Sequence, residues 1–214
     1  MTELPELNKG QAAAALTPAA RLVHLRALTS FANTGRALRR DEIVRLARTH
    51  GADADDVLAE LAERDVIAFD GRGEIRAAYP FSPTPTAIRV TWAGGPTAYA
   101  MCAIDALGMS AMLDRPVTIT ASEPGTGHMV TVEVDGDHAE WQPNTAVVFA
   151  GATDDECCPS VDRTCGHINF FTSDEIARAW ADQHAEITGT VLGRSQALAL
   201  GAAEFGTLMD PLRA

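Results

Sequence analysis

The stretch GGPTAYAMCAIDALGMSAMLD, residues 94–114, decides how this chain folds. Gly94 and Gly95 loosen its entry, Pro96 suits a first helical turn, and almost everything after it is apolar. A helix that is apolar on all sides must be buried, so the pattern predicts a central helix with the second part of the chain wrapped around it. Partners follow directly. PVTITASEP, HMVTVEVDG, AEWQ and AVVFAGA, spread over 116–152, have the β-branched enrichment and turn residues of antiparallel strands. AIRVTW (87–92) reads as a short strand ahead of the helix, and HINFF (167–171) as the last strand of the chain. TSDE (172–175) offers a capping box, with Thr172 as cap and Glu175 reaching back, and SQALALGAAEFGTLMD (195–210) is a closing helix.

Working toward the N-terminus, PFSPTPT (80–86) is a Pro-rich connection that suggests a boundary. Before it lie three segments with apolar residues at helical spacing. TPAARLVHLRALTSFANTG (17–35) and DEIVRLARTHG (41–51) each close on glycine, and ADDVLAELAERD (54–65) follows. VIAFDGRGEIRAAYP (66–80) then reads as a hairpin around Asp70-Gly71. The expected fold class is α+β: a winged-helix-like three-helix module over 1–80, then an α+β domain over 81–214 with an antiparallel or mixed sheet packed on the buried helix. The first ten or so residues read as a polar, poorly ordered arm.

Charge limits what the chain can bind. It carries a net −12, yet residues 1–80 hold 11 Lys+Arg against 12 Asp+Glu, so the excess acid lies beyond residue 80. The third helix, where a winged helix would read DNA, holds Asp53, Asp55, Asp56, Glu60, Glu63 and Asp65 against Arg64 alone. Phosphates would repel it. No nucleic acid and no membrane surface are expected as partners, no apolar run is long enough to span a bilayer, and the opening residues carry no secretory pattern. A cytoplasmic location is the expectation, and there the four cysteines, Cys102, Cys157, Cys158 and Cys165, are free thiols rather than a disulfide framework.

Within the central helix Cys102 and Asp105 are three residues apart, which puts them on one face about 5–6 Å from each other. Taken alone, the pair also fits a small core hydrophobe beside an edge carboxylate. A second thiol changes the weighing. Cys165 opens CGHINFF, where strand alternation sets Cys165, His167, Asn169 and Phe171 on one side. Two thiols and a carboxylate could then converge. Structural zinc is a poorer account, because Cys157, Cys158, Cys165 and His167 lack paired C-x₂₋₄-C spacing. The other histidines are scattered, and Trp92, Trp141, Trp180 and Tyr99 read as core.

These residues resemble the organomercurial (alkylmercury) lyase family. YAMCAIDAL looks like the family's catalytic Cys-Ala-Leu/Ile-Asp helix, and TCGHINFF is similar to its second catalytic cysteine ahead of a strand ending Phe-Phe. The Trp180 helix and ALGAAEF resemble its closing segment, and the N-terminal helices with their hairpin fit its architecture. The resemblance implies protonolysis of the carbon–mercury bond of R–Hg⁺ to R–H and Hg²⁺. Cys102 and Cys165 would then ligate mercury, and Asp105 would be the general acid/base and a later ligand of Hg²⁺. No organic cofactor is implied. Low-molecular-weight thiols would release the product, with a mercuric reductase as a further Hg²⁺ acceptor. Glu123 departs from the pattern, since many members carry a structural cysteine there. Cys157 and Cys158 are extra and stand as accessory thiols. A rival of another class is a mercury-responsive binding or regulatory protein, which would need the thiols and not Asp105.

Overall fold

Residues 8–153 and 159–212 are described by a computed structural model. Its helices are α1 (Lys9–Ala14), α2 (Pro18–Thr34), α3 (Arg40–Thr49), α4 (Ala54–Glu63), α5 (Ala103–Leu113), α6 (Ser160–Arg163), α7 (Asp174–Asp182) and α8 (Arg194–Phe205). The N-terminal helices form where the apolar spacing predicts them. Pro18 starts α2, and Gly35 ends it in the left-handed conformation (φ 68°) with its N–H on the Phe31 carbonyl. Asp53 caps α4 by accepting the N–H groups of Asp55 and Asp56. Helix α1 begins at Lys9, inside the segment expected to be an arm, and Lys9 is itself buried.

An eight-stranded sheet contains β1 (Ile67–Phe69), β2 (Ile75–Ala78), β3 (Phe81–Ser82), β4 (Ile88–Thr91), β5 (Ala98–Ala100), β6 (Val117–Ser122), β7 (Met129–Asp135) and β8 (His138–Gln142). Their order is β1-β2-β3-β5-β4-β6-β7-β8, and every pair is antiparallel. The predicted hairpin is present as β1 and β2. It is one end of this sheet, because Ala78 of β2 pairs with Phe81 of β3 just past Pro80. A three-stranded antiparallel sheet joins β9 (Val147–Ala152), β10 (Ile168–Phe171) and β11 (Thr188–Leu192) in the order β10-β9-β11. The architecture is thus α+β with antiparallel sheets. β11 corrects the expectation that HINFF is the last strand. TGTVL carries no clear strand signal, because Thr and Gly alternate there with no clear apolar face.

Helix α5 lies at the centre, against β4 to β7 and β10, with α8 along its other side. From Ala103 to Ser110 every residue is buried. The two helices approach through glycine. A Cβ on Gly108 would sit 2.4 Å from the Gly201 carbonyl oxygen and 2.6 Å from Cδ2 of Phe205, so only a hydrogen fits. Gly108→Ala gains about 1 kcal/mol of helix propensity but forces these backbones apart, an overpacking cost of about 1–3 kcal/mol or more. A net loss of stability is expected, read as a lower urea midpoint with an unchanged slope. An unchanged midpoint would show that the helices can separate freely.

Glu123 ties the two sheets together. Its side chain is fully buried and accepts from Thr126 Oγ1, from the Thr172 backbone N–H and from Thr172 Oγ1 at 2.7 Å. Thr172 is therefore engaged elsewhere. The cap of α7 is Ser173, whose Oγ accepts from Ile176 N–H, which corrects the assignment of Thr172 as cap.

Candidate active site

Residues 98–102 do not belong to the central helix as the sequence suggested. Ala98–Ala100 form β5, which pairs with β3 and β4, and Cys102 is extended (φ −152°, ψ 179°) as the N-cap of α5. An apolar run fits a buried strand as well as a buried helix, and pairing with β3 and β4 satisfies its backbone groups. The cap position changes the meaning of Cys-x-x-Asp. Instead of sharing a face across a turn, Cys102 Sγ accepts the Asp105 N–H at 3.4 Å, and its thiol meets the Asp105 carboxylate. The thiol also sits at the positive end of the helix, where an anion is favoured.

Cys165 lies in a one-turn 3-10 helix, Cys165–His167, and β10 starts only at Ile168. Strand alternation therefore does not apply at 165, a second correction. Cys165 is nevertheless a near neighbour of Cys102, and its side chain acts on the Cys102 thiol. His167 faces elsewhere, toward Glu186 and His184, and burial lowers its pKa. The histidine nearest Cys165 in sequence is thus no part of the cluster.

All three side chains are withdrawn from solvent, with relative exposures of 3% for Cys102, 3% for Asp105 and 6% for Cys165. Burial raises the Cys102 pKa well above that of an ordinary thiol, and the neighbouring Cys165 thiol and Asp105 charge push it the same way. Burial also raises Asp105 to about 7, against the opposing pull of the Cys102 thiol and the Lys9 charge. Asp105 Oδ2 is buried with no hydrogen-bond partner. An unsatisfied buried carboxylate oxygen is costly.

Cys102 and Cys165 are both free thiols. Among the described residues no group of three or more His, Cys, Asp or Glu side chains is gathered as a metal cage. The two thiols are close enough to influence each other's charge. A 750 Å³ groove lined by Trp92, Asp114, Arg115, Glu133 and His138 lies elsewhere and contains no thiol. Cys157 and Cys158 fall outside the described residues. Trp92 and Trp141 are core residues, Trp141 edge-on to Phe170, and Trp180 packs with Phe149 and Phe171.

The family model for MerB, alkylmercury lyase, matches residues 81–206, more than half of the chain and a span containing all three side chains. The chain belongs to the alkylmercury lyase family. An alkylmercury lyase of Bacillus cereus is 32% identical over 160 residues, covering 73% of this chain and 70% of the relative. One of Streptomyces lividans is 30% identical over 163 residues, covering 74% and 72%. A crystal structure of the mercury-bound form of MerB2 superposes with a TM-score of 0.74 at 24% identity, over 94% of this chain and 96% of that one. The shared fold thus extends well N-terminal to the family match. As an alkylmercury lyase, the chain is an enzyme that breaks carbon–mercury bonds. Among the described residues, no helix is long and apolar enough to cross a membrane.

Sequence reasoning missed the polar surroundings of this site. Lys9, Asp65, Tyr79, Ser160 and Glu204 gather near it from five separate segments, and nothing local to any of them signals the meeting.

Proposed function

We propose that this lyase cleaves R–Hg⁺ with Cys102 and Cys165 as mercury ligands and Asp105 as the proton carrier. The observation that carries this reading is the unpartnered Oδ2 of Asp105 beside two neighbouring buried thiols. Thiolates are soft ligands suited to mercury. Because burial holds the Cys102 pKa high, the resting thiol keeps its proton, and that proton must leave when sulfur bonds mercury. Asp105, with a pKa of about 7, is close to working pH and can take it and later return it.

The atoms balance as follows. Cys102 bonds mercury and its proton passes to Asp105; Cys165 bonds next and releases its own proton to solvent. The two sulfurs push electron density onto the mercury-bound carbon, the carbon–mercury bond breaks with its electron pair on carbon, and Asp105 delivers the proton there. R–H leaves and Hg²⁺ stays on the thiolates, with Asp105 as a further ligand. Closing the site from water also keeps the carbon as the best proton acceptor in reach. No organic cofactor is required. Low-molecular-weight thiols would draw off Hg²⁺ through exchange, with Cys157 and Cys158 as accessory thiols and a mercuric reductase as a further acceptor. The N-terminal helices α2 to α4 with the β1–β2 hairpin serve as a winged-helix-like scaffold, and α5 is the catalytic helix. A purely mercury-responsive binding protein is disfavoured, since binding alone gives no reason to bury an unpartnered carboxylate beside the thiols.

The test is gas chromatography of headspace over enzyme, excess thiol, and phenyl- or methylmercury. Benzene or methane in proportion to Hg²⁺ is expected. Mercury uptake with no hydrocarbon would support the binding protein instead.

A further inference from the structure

The N-terminal helix α1 begins with a buried cation that touches the segment leading to the second thiol. Lys9 is 5% exposed. Its Nζ donates to the Asp65 carbonyl at 2.7 Å, to the Asp65 carboxylate, and to Ser160 Oγ at 2.9 Å, and it lies 4.1 Å from the centroid of the Tyr79 ring. Its backbone N–H donates to the Glu204 carboxylate on α8. Asp65 in turn accepts from the Ser160 N–H at 3.2 Å and from Ser160 Oγ, and the Tyr79 hydroxyl reaches it at 3.5 Å. To do so Asp65 holds a left-handed backbone (φ 50°), uncommon for a residue with a side chain.

Ser160 is the first residue of α6, and the preceding Pro159 provides no side-chain cap. Asp65 supplies that cap from another part of the chain. Two residues after α6 ends comes Cys165. The hub therefore fixes the start of the short path that leads to the second thiol. Burying a lysine against a partly buried aspartate is not an efficient way to add stability, because desolvation of the ammonium offsets much of the attraction. A pair retained there needs another reason. The hub also faces the site electrically, since the Lys9 charge acts on Asp105, and the charges of Cys165, Asp65 and Asp105 act on Tyr79.

We propose that Lys9 is a positioning residue of the lyase: by gathering Asp65, Ser160 and Tyr79 around one buried ammonium, it sets the start of α6 and so holds Cys165 opposite Cys102. This rests on the roles given above to the two thiols. Lys9 touches no reacting atom. Its effect is on the distance between two sulfurs, and misplacement by about 1 Å costs up to about 100-fold in rate.

The experiment compares wild type, Lys9→Met, Lys9→Arg, Ser160→Ala and the Lys9→Met/Ser160→Ala double variant, each checked for folding by near-UV circular dichroism at low temperature. Two quantities are read: kcat and KM for benzene release from phenylmercury, and retention of phenylarsine oxide, a probe that needs two thiols at bridging distance. Lys9→Met is expected to lose about 10- to 100-fold in kcat with little change in KM, and to lose retention of the arsenical in parallel. Lys9→Arg recovers most of both. The double variant is no worse than Lys9→Met, because both changes cut one hub. A folded Lys9→Met enzyme with wild-type kcat and arsenical retention overturns the proposal, as do strictly additive losses. If Lys9→Met does not fold, Ser160→Ala decides, and wild-type values in that protein overturn it. Wild-type protein that bridges the arsenical yet releases no benzene would count against the lyase roles alone, with the Lys9 effect still read from bridging.

Discussion

Cys165→Ser is expected to leave a folded protein that releases no benzene from phenylmercury, a loss on the order of 10³-fold or more, as for members of a catalytic set that act as a unit. The exchange of sulfur for oxygen is nearly isosteric at a position only 6% exposed. Its structural cost is that of one poorly satisfied buried hydroxyl, roughly 1–3 kcal/mol. Its chemical cost is larger, because a hydroxyl is a hard, weakly acidic group that does not replace thiolate on a soft metal. With Cys102 alone, mercury carries one sulfur and the bound carbon never becomes basic enough to take a proton. The variant should therefore bind one equivalent of phenylmercury and hold it uncleaved, visible as intact protein mass plus phenylmercury. Cleavage at the wild-type rate would remove Cys165 from the reaction.

Asp105→Asn is expected to separate binding from cleavage. Both thiols remain, so phenylmercury still binds, but the amide neither accepts the Cys102 proton nor donates one to carbon. Hydrocarbon release should fall by about 10²- to 10⁴-fold, the range assigned to a positioned proton carrier. The same substitution has a signature in stability. In the folded protein the carboxyl pKa is about 7, raised from 3.8 chiefly by burial, so between about pH 4 and pH 7 the folded state holds a proton that the unfolded state has lost. Stability from this group is present below about pH 4, falls as pH rises through that window, and is gone above about 7. The asparagine variant lacks that slope. Relative to wild type it should gain up to about 4 kcal/mol between pH 4 and pH 8, the free energy of a shift of this size. Urea melts at pH 5 and pH 8 measure it, and equal slopes in the two proteins would mean that Asp105 is not held near 7.

How much of this was legible depends on the distance over which each feature is decided. The predicted helices 17–35, 41–51 and 54–65 correspond to α2, α3 and α4, since proline, glycine and capping aspartate act within one turn. The β1–β2 hairpin follows from Asp70, whose side chain accepts from Arg72 and Glu74 and closes the turn locally. Residues 98–102 were misread because an apolar run is ambiguous between a buried helix and a buried strand. Pairing with β3 and β4 resolves it, and neither partner is near enough in sequence to signal that. Strand alternation, the reason for aiming Cys165 at Cys102, fails because a 3-10 turn occupies Cys165–His167 and the strand starts only after it.

The chain by itself determined helices α2 to α4, the β1–β2 hairpin, the acidic surface of α4 and a candidate set of two thiols and a carboxylate, because residue chemistry and short-range hydrogen bonding are local properties. Only the tertiary structure decided that Cys102 caps its helix, that Cys165 reaches it from 63 positions away, and that Lys9 and Asp65 are drawn inward beside them. Those outcomes depend on desolvation and on partners brought together by folding, and burial is a property of the packed chain rather than of any stretch of it.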